Sequence, residues 1–464
     1  PYVISSFAKA NGIHTFSWQF SVMPKEQAIE LLGDDRELPL MEIACNENNR
    51  PYTSYIDFTH PRAAELVRAQ WAHRFAAGIR GTMVDFGDLI PDEAKFYDGR
   101  GGKEMHNGYG YEYAKIYRQV FEEKYGDDHV LFQRCATAGT QAFTCQFGGD
   151  QATSFFGMIN SIRGGLTAAA SGLPFWGVDA TGYDGPMTDD EAYIRWTQYA
   201  CFCPIMRYHG TTPREPWEHT DEAVTIYKYF AWLRENLLDY SYSTAIQAHH
   251  TGIPMMRVLP MVFPDDKGIW RIEDEYMYGD HLLVAPVYSE NPEKKIIFPK
   301  GDWVSFFNNR EQIHNERSFT KTVPLEEIPL YIRSGAVIPM CLNGSLQPGM
   351  SMTTSKEKVL LITKPYGDVS GSWNGSDTEE NNYSFIISES GFTFAAKGTI
   401  EYKYILLKGM TGKVSDIFIN GRVLANVPAK QGLISREAWY QMKDGTIAIH
   451  LLSHSELNLT VREV

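Results

Sequence analysis

Positive charge is scarce in this chain of 464 residues: 43 lysines and arginines stand against 57 aspartates and glutamates, a net charge of −14. A broad phosphate-binding surface needs clustered cations to displace counterions, so nucleic acid is excluded as a main partner. Long apolar runs are missing too. No stretch approaches about 18 consecutive apolar residues, and no basic-then-apolar leader opens the chain, so no membrane span is expected. Cysteine is sparse. Cys45, Cys135, Cys145, Cys201, Cys203 and Cys341 are scattered without metal-ligand spacing and read as mostly buried thiols. There is no His-Glu-X-X-His, no Gly-X-X-X-X-Gly-Lys and no Gly-X-Gly-X-X-Gly after a strand, and Gly177 to Gly185 is wrongly spaced for a phosphate loop. Neither a metal nor a cofactor is expected. His249-His250 lies in a helical stretch, where adjacent side chains diverge, and reads as surface or interface.

Aromatic residues are plentiful at 13%, which suits a pocket that stacks the apolar faces of rings. The length exceeds what one hydrophobic core usually supports, so two or three domains are expected, one of them a barrel of about 250 residues.

From residue 10 to 260, short β-branched or apolar runs alternate with longer amphipathic ones, the signature of a parallel α/β fold. Candidate strands are 14–19, 81–85, 129–134, 174–179 and 204–209. Candidate helices are 61–77, 111–124, 154–170, 189–200 and 220–238. Asp85, Arg134, Asp179 and His209 each close one of the strands, and barrel enzymes keep their chemistry at the C-terminal ends of strands. Beyond residue 264 the texture changes to short alternating runs separated by turn residues, which predicts antiparallel β-sandwiches. The expected domains are therefore a catalytic (β/α)8 TIM-type barrel over 1–263, a proximal sandwich over 264–339 and a distal one over 340–464. The candidate strands fall short of a closed barrel. The N-terminal strands are expected either on a separate chain, with which this one would associate, or outside these residues. Asn343, Asn374, Asn382 and Asn458 head Asn-X-Ser/Thr tripeptides. Neither compartment nor oligomeric state is assigned by the sequence.

Two aspartates stand out as a pair that could hydrolyse a glycosidic bond with retention, one attacking the anomeric carbon and the other protonating the leaving oxygen. Asp85 ends Gly-Thr-Met-Val-Asp. Asp150 sits in Phe-Gly-Gly-Asp-Gln, where small neighbours allow close approach. Taken alone, each is more at home as a cap or turn residue than as a catalytic group.

The wording around them is more specific. Met-Val-Asp85-Phe-Gly-Asp resembles the nucleophile segment of glycoside hydrolase family 31. Gln133-Arg134, running on to Gly148-Gly149-Asp150-Gln151, is similar to its arginine strand and acid/base loop. Pro174-Phe-Trp176-Gly-Val-Asp179-Ala-Thr-Gly182-Tyr183, Arg195-Trp-Thr-Gln198 and Pro204-Ile-Met-Arg207-Tyr-His209-Gly follow in the family's order. Tyr278-Gly-Asp280-His and Ile328-Pro-Leu-Tyr-Ile-Arg333-Ser-Gly resemble its post-barrel region, so the likeness covers residues 50 to 345. It implies a retaining exo-α-glycosidase of α-glucosidase type, acting on an oligosaccharide or glycoside. Asp85 would be the nucleophile and Asp150 the general acid/base, their carboxyls about 5 to 5.5 Å apart. Arg134, Asp179 and His209 would bind sugar hydroxyls, with Met83, Phe86, Phe147, Trp176 and Tyr183 around the terminal sugar.

The sequence departs from the family where Met83 and Phe147 replace tryptophans, where Asp88 replaces a glutamate, and where Asp179-Ala-Thr-Gly182 replaces Asp-Ile-Gly-Gly. These changes point to a reshaped subsite. Sulfoquinovosidase is an alternative, because Asp-Phe-Gly, Gly-Asp-Gln and Tyr183 also match that branch; its sulfonate-binding residues would lie upstream of residue 1. An α-transglycosylase is another, and a catalytically silent carbohydrate-binding protein a third.

Overall fold

The computed structural model describes residues 16–45, 53–376, 378–428, 437–452 and 454–464, arranged in two compact units. The first unit comprises residues up to Gly149 together with Ser171–Gly177, and the second comprises Asp150–Ala170 and Val178–Val464.

In the first unit the strands Phe16–Phe20, Gly81–Asp85, Val130–Gln133 and Cys145–Phe147 run parallel in that order, with Trp176 and Gly177 next. The expected strand over 14–19 is found from residue 16 onward; its first two positions lie outside the described residues. Cys145–Phe147 was not expected as a strand. It is three residues long with a central glutamine, too short and too polar for periodicity to reveal. Helix Ala63–Ala76 agrees with the sequence, whereas Gly102–Tyr125 starts well before the anticipated residue 111. Its first residue explains why: a Cβ on Gly102 would fall 1.9 Å from the Pro91 carbonyl oxygen, so this poor helix former is needed by packing. One face of that helix carries Tyr109, Tyr113, Tyr117 and Phe121 into the core, where they meet Phe58 and Trp71. A helix over Lys25–Leu32 and a three-stranded antiparallel sheet of Val22–Pro24, Thr53–Ile56 and Leu40–Cys45 had no counterpart in the sequence reading.

In the second unit Val178 and Asp179 complete the strand Trp176–Asp179, and Ile205–Arg207 is next in the strand order. The helices Phe155–Ala170, Asp190–Cys201 and Asp221–Asn236 lie within two residues of their expected bounds. Two of them start on side-chain caps, Asp189 accepting from the Ala192 N–H and Thr220 from that of Ala223. A further helix, Leu238–Thr251, ends at Gly252 in the left-handed conformation.

An antiparallel sheet then begins with Met256–Val258 and continues through Tyr276–Tyr278, Leu282–Val284, Leu330–Arg333, Asp302–Ser305 and Gln312–His314. A two-stranded ribbon of Glu293–Ile297 and Ser318–Thr322 accompanies it. Beyond Val337 two six-stranded sheets share one core that includes Trp373, Phe394, Ile405 and Leu459. Among the described residues the pairing departs from pure antiparallel where Glu357–Thr363 runs parallel to Tyr404–Lys408, and Ala425–Asn426 to Ala438–Gln441.

Arg195 ties helix to sheet in this unit. Its guanidinium, 1% exposed, donates to the carbonyls of Val323, Pro324 and Glu327, and Gln198 donates to that of Leu325. No helix among the described residues is long and apolar enough to cross a membrane. Of the cysteines, Cys201, Cys203 and Cys341 are buried, and burial pushes the Cys201 and Cys203 thiols up to about 12, so they are unreactive.

Candidate active site

Gly81–Asp85 is buried throughout, and Asp85, 4% exposed, is its last residue. The chain leaves the strand by an unusual route: Phe86 has φ 61° and Gly87 φ 90°. A left-handed phenylalanine costs about 1–2 kcal/mol, strain of the kind that gathers at functional sites. The turn brings the Phe86 N–H to Asp85 Oδ1, 2.9 Å away, while the Tyr113 hydroxyl donates to the Asp85 carbonyl at 3.2 Å. Position 87 must be glycine twice over, because a Cβ there would also come 2.9 Å from Cys135 Sγ.

Arg134 follows the neighbouring strand Val130–Gln133. Its Nε lies 3.4 Å from Asp85 Oδ1 and 3.4 Å from Asp88 Oδ2, and its guanidinium covers the Phe86 ring at 4.9 Å. Met83 shares a strand face with Asp85, two residues away, and is buried, as is Phe147, whose ring meets Phe132 edge-on at 5.8 Å. Trp176 is half-buried at the start of its strand.

In the second unit Asp150 is exposed and opens the segment leading to helix Phe155–Ala170. The Gln151 carbonyl accepts from the N–H groups of Tyr183 and Asp184 at 2.8 and 3.0 Å, and the Thr153 N–H donates to the Asp184 carbonyl at 3.0 Å. The loop after Asp150 is thereby sewn to the loop after Asp179. The latter turns through Thr181 at φ 76° and Gly182 at φ 78°, and a Cβ on Gly182 would meet the Ala152 carbonyl oxygen at 2.6 Å.

Asp179, 1% exposed, is engaged by Arg207 through two contacts: Nε to Oδ1 at 2.5 Å and Nη2 to Oδ2 at 3.2 Å. The Tyr183 ring and the His209 imidazole sit 5.1 Å apart, tilted by 46°. Buried Arg214 donates to the carbonyls of Gly182 and Tyr183 at 3.0 and 3.2 Å, and the Thr211 N–H also donates to Tyr183 at 3.0 Å. Three loops, after Asp150, Asp179 and His209, thus form one hydrogen-bonded assembly.

The first unit therefore brings together Asp85, Arg134 and Phe86, and the second brings together Asp179, Tyr183, His209 and the Asp150 segment. The sequence reading gave Arg207, Asp88 and Arg214 no role. Arg207 lay inside the expected strand 204–209, but the strand ends at Arg207, so His209 follows it and does not close it; the ties of Arg214 run to backbone carbonyls and leave no pattern in the sequence. No group of three His, Cys, Asp or Glu among the described residues is placed to hold a metal ion.

Residues 11–244 match the glycosyl hydrolases family 31 TIM-barrel domain, and residues 252–338 match the glycosyl hydrolase family 31 C-terminal domain. The chain belongs to glycoside hydrolase family 31. The parallel strands and their helices are thus part of a family 31 TIM barrel, followed by β-sheet domains. An isomaltosyltransferase from Sporosarcina globispora is 30% identical over 410 residues, 83% of this chain and 37% of that protein. An alpha-xylosidase from Emericella nidulans is 29% identical over 295 residues, 61% of this chain and 38% of its own length. The cycloalternan-forming enzyme from Listeria monocytogenes, solved with a pentasaccharide substrate, shares the fold over 100% of this chain and 47% of its own, with a TM-score of 0.89 at 22% identity. The family 31 chain described here spans less than half the length of each of these relatives.

Proposed function

We propose that this chain carries the catalytic carboxylates of a retaining exo-α-glycosidase that acts on the non-reducing end of an α-linked oligosaccharide. Asp85 attacks the anomeric carbon as the glycosidic C–O bond breaks, and Asp150 gives its proton to the departing oxygen. Water then attacks the glycosyl–Asp85 ester, Asp150 takes up its proton, and the sugar leaves with its configuration retained.

One observation carries the reading: Asp85 is a buried strand-end carboxylate with one oxygen fixed by a backbone N–H and by Arg134. Asp150 lies by contrast on an exposed, glycine-flanked loop, as suits a group that must trade protons with leaving group and water. Arg134, Asp179 and His209 bind hydroxyls of the terminal sugar, and Met83, Phe86, Phe147, Trp176 and Tyr183 bound its subsite. The barrel extends over 1–263 with sandwiches over 264–339 and 340–464.

A transferase reading has its own support in the isomaltosyltransferase, which is similar over 83% of this chain. It differs only in that a sugar hydroxyl, not water, attacks the ester.

The test uses aryl α-glycosides (glucoside, xyloside, galactoside, sulfoquinovoside) with the full-length protein, following the first anomer released by NMR. Azide separates the two carboxylates. Asp85→Ala with azide should give a β-glycosyl azide, because azide replaces the nucleophile. Asp150→Ala with azide should give the α-azide, because azide attacks the ester. An inverted product sinks the double-displacement assignment in favour of an inverting hydrolase, and no turnover of any glycoside or oligosaccharide sinks it in favour of a silent carbohydrate-binding protein.

A further inference from the structure

Helix Leu238–Thr251 carries an anomaly in the second unit. Tyr240, Ser243, Thr244, Gln247, His250 and Thr251 recur at intervals of three and four residues, which places them along one helix face. A stripe facing another element of the same unit is ordinarily apolar and close-packed, with few voids larger than a water molecule. This one is polar, and it borders a cavity of about 450 Å³. Opposite it stand Ser372, Trp373 and Asn374 of the strand Val369–Ser376, with Glu379 and Glu380 at the start of the next strand. Asp280 and His281, from the turn before Leu282–Val284, complete the wall.

The walls are held in place independently of any occupant. The Asn374 N–H donates to Ser243 Oγ at 2.8 Å and the Tyr240 hydroxyl to the Tyr278 carbonyl at 2.8 Å, while the His281 N–H donates back to that hydroxyl at 3.1 Å. Buried Arg257 pairs with Asp280 and donates to Gln247 Oε1 at 2.6 Å, which orients the amide. Gly279 has φ 64°, and a Cβ there would meet the Tyr240 hydroxyl at 2.3 Å, so the turn is shaped around this tyrosine.

The lining chemistry selects the occupant. Asp280, Glu379 and Glu380 make the cavity acidic and repel anions. A divalent cation is not favoured, because no group of three such ligands among the described residues converges. A neutral polyol satisfies both demands: its hydroxyls donate to the carboxylates, and its oxygens accept from amide, imidazole and hydroxyl donors. The volume lies within the range of about 300–1,000 Å³ usual for small-ligand sites.

We propose that this cavity, between helix Leu238–Thr251, the Asp280–His281 turn and the strand ends at Ser372–Asn374 and Glu379–Glu380, is a non-catalytic binding site for a glycosyl unit of an oligosaccharide. It goes beyond the hydrolytic reading, and it gives His250, one of the adjacent histidines noted in the sequence, a place at a sugar site.

The experiment is calorimetric titration of isomaltotriose into the full-length protein carrying Asp85→Ala, so that nothing is turned over. Two binding events are expected. Adding Glu379→Lys and Glu380→Lys, both exposed positions, should remove one of them with at least a tenfold loss of affinity. His250→Ala should weaken the same event. In a background with Asp85 intact, these changes should leave kcat/KM on an aryl α-glycoside unchanged. Binding that ignores all three substitutions, whether one event or two, overturns the site. Loss of one event in a protein that hydrolyses no glycoside would uphold it while refuting the catalytic reading.

Discussion

Arg207 grips Asp179 through two nitrogen–oxygen contacts, at 2.5 and 3.2 Å, with the carboxylate almost wholly buried. Such a planar, two-point pair fixes the carboxylate in orientation as well as in charge, which a lysine could not do. Removing one partner strands a buried charge. Arg207→Met should therefore lower unfolding free energy by about 3 kcal/mol and activity by about a hundredfold. Denaturant titration and initial rates would check both, and Arg207→Lys should recover stability far better than activity.

Gly182→Ala probes the seam between the loops. The added methyl would strike the Ala152 carbonyl and would also be strained at φ 78°. The loop that presents Asp150 must shift to make room. We expect kcat to fall at least tenfold, with a stability loss of about 1–2 kcal/mol. Unchanged kcat would mean that the seam does not position Asp150.

Arg195→Ala should be costly without touching the chemistry directly. It leaves the carbonyls of Val323, Pro324 and Glu327 without this donor in a buried setting. A loss of about 3 kcal/mol is expected in chemical denaturation. Limited proteolysis should cut first near residues 323–327.

Glu275 supplies a pH signature. Burial, reinforced by nearby Asp274 and opposed by Lys294, pushes its carboxyl up to about 8. The folded state therefore holds the proton more tightly than the unfolded chain. Stability from this group is complete below the unfolded value of 4.5 and is lost as pH rises to about 8, at roughly 1.4 kcal/mol per pH unit. Glu275→Gln should flatten that slope in unfolding curves taken between pH 5 and 8.

Much of the fold could be read from the residues because the strands around Asp85 and Asp179 and the helices after them have strong apolar periodicity. Cys145–Phe147 escaped because three residues carry no period. The early start of Gly102–Tyr125 escaped because glycine there answers to the Pro91 carbonyl, a contact distant in sequence. Of the proposed site, Asp85 and Asp150 were picked out by local wording, whereas the Arg207–Asp179 pairing and the reach of Arg214 join segments 28 and 32 residues apart, and only folding makes them neighbours.

The tie made by Arg214 bears on how this scaffold can be re-engineered. Because one guanidinium and a few backbone amides bind the segments 150–153, 181–185 and 210–214 together, a loop transplanted singly from a relative would arrive without its partners. A change of sugar preference should need the three segments exchanged as one cassette, with residue 214 moved along with them.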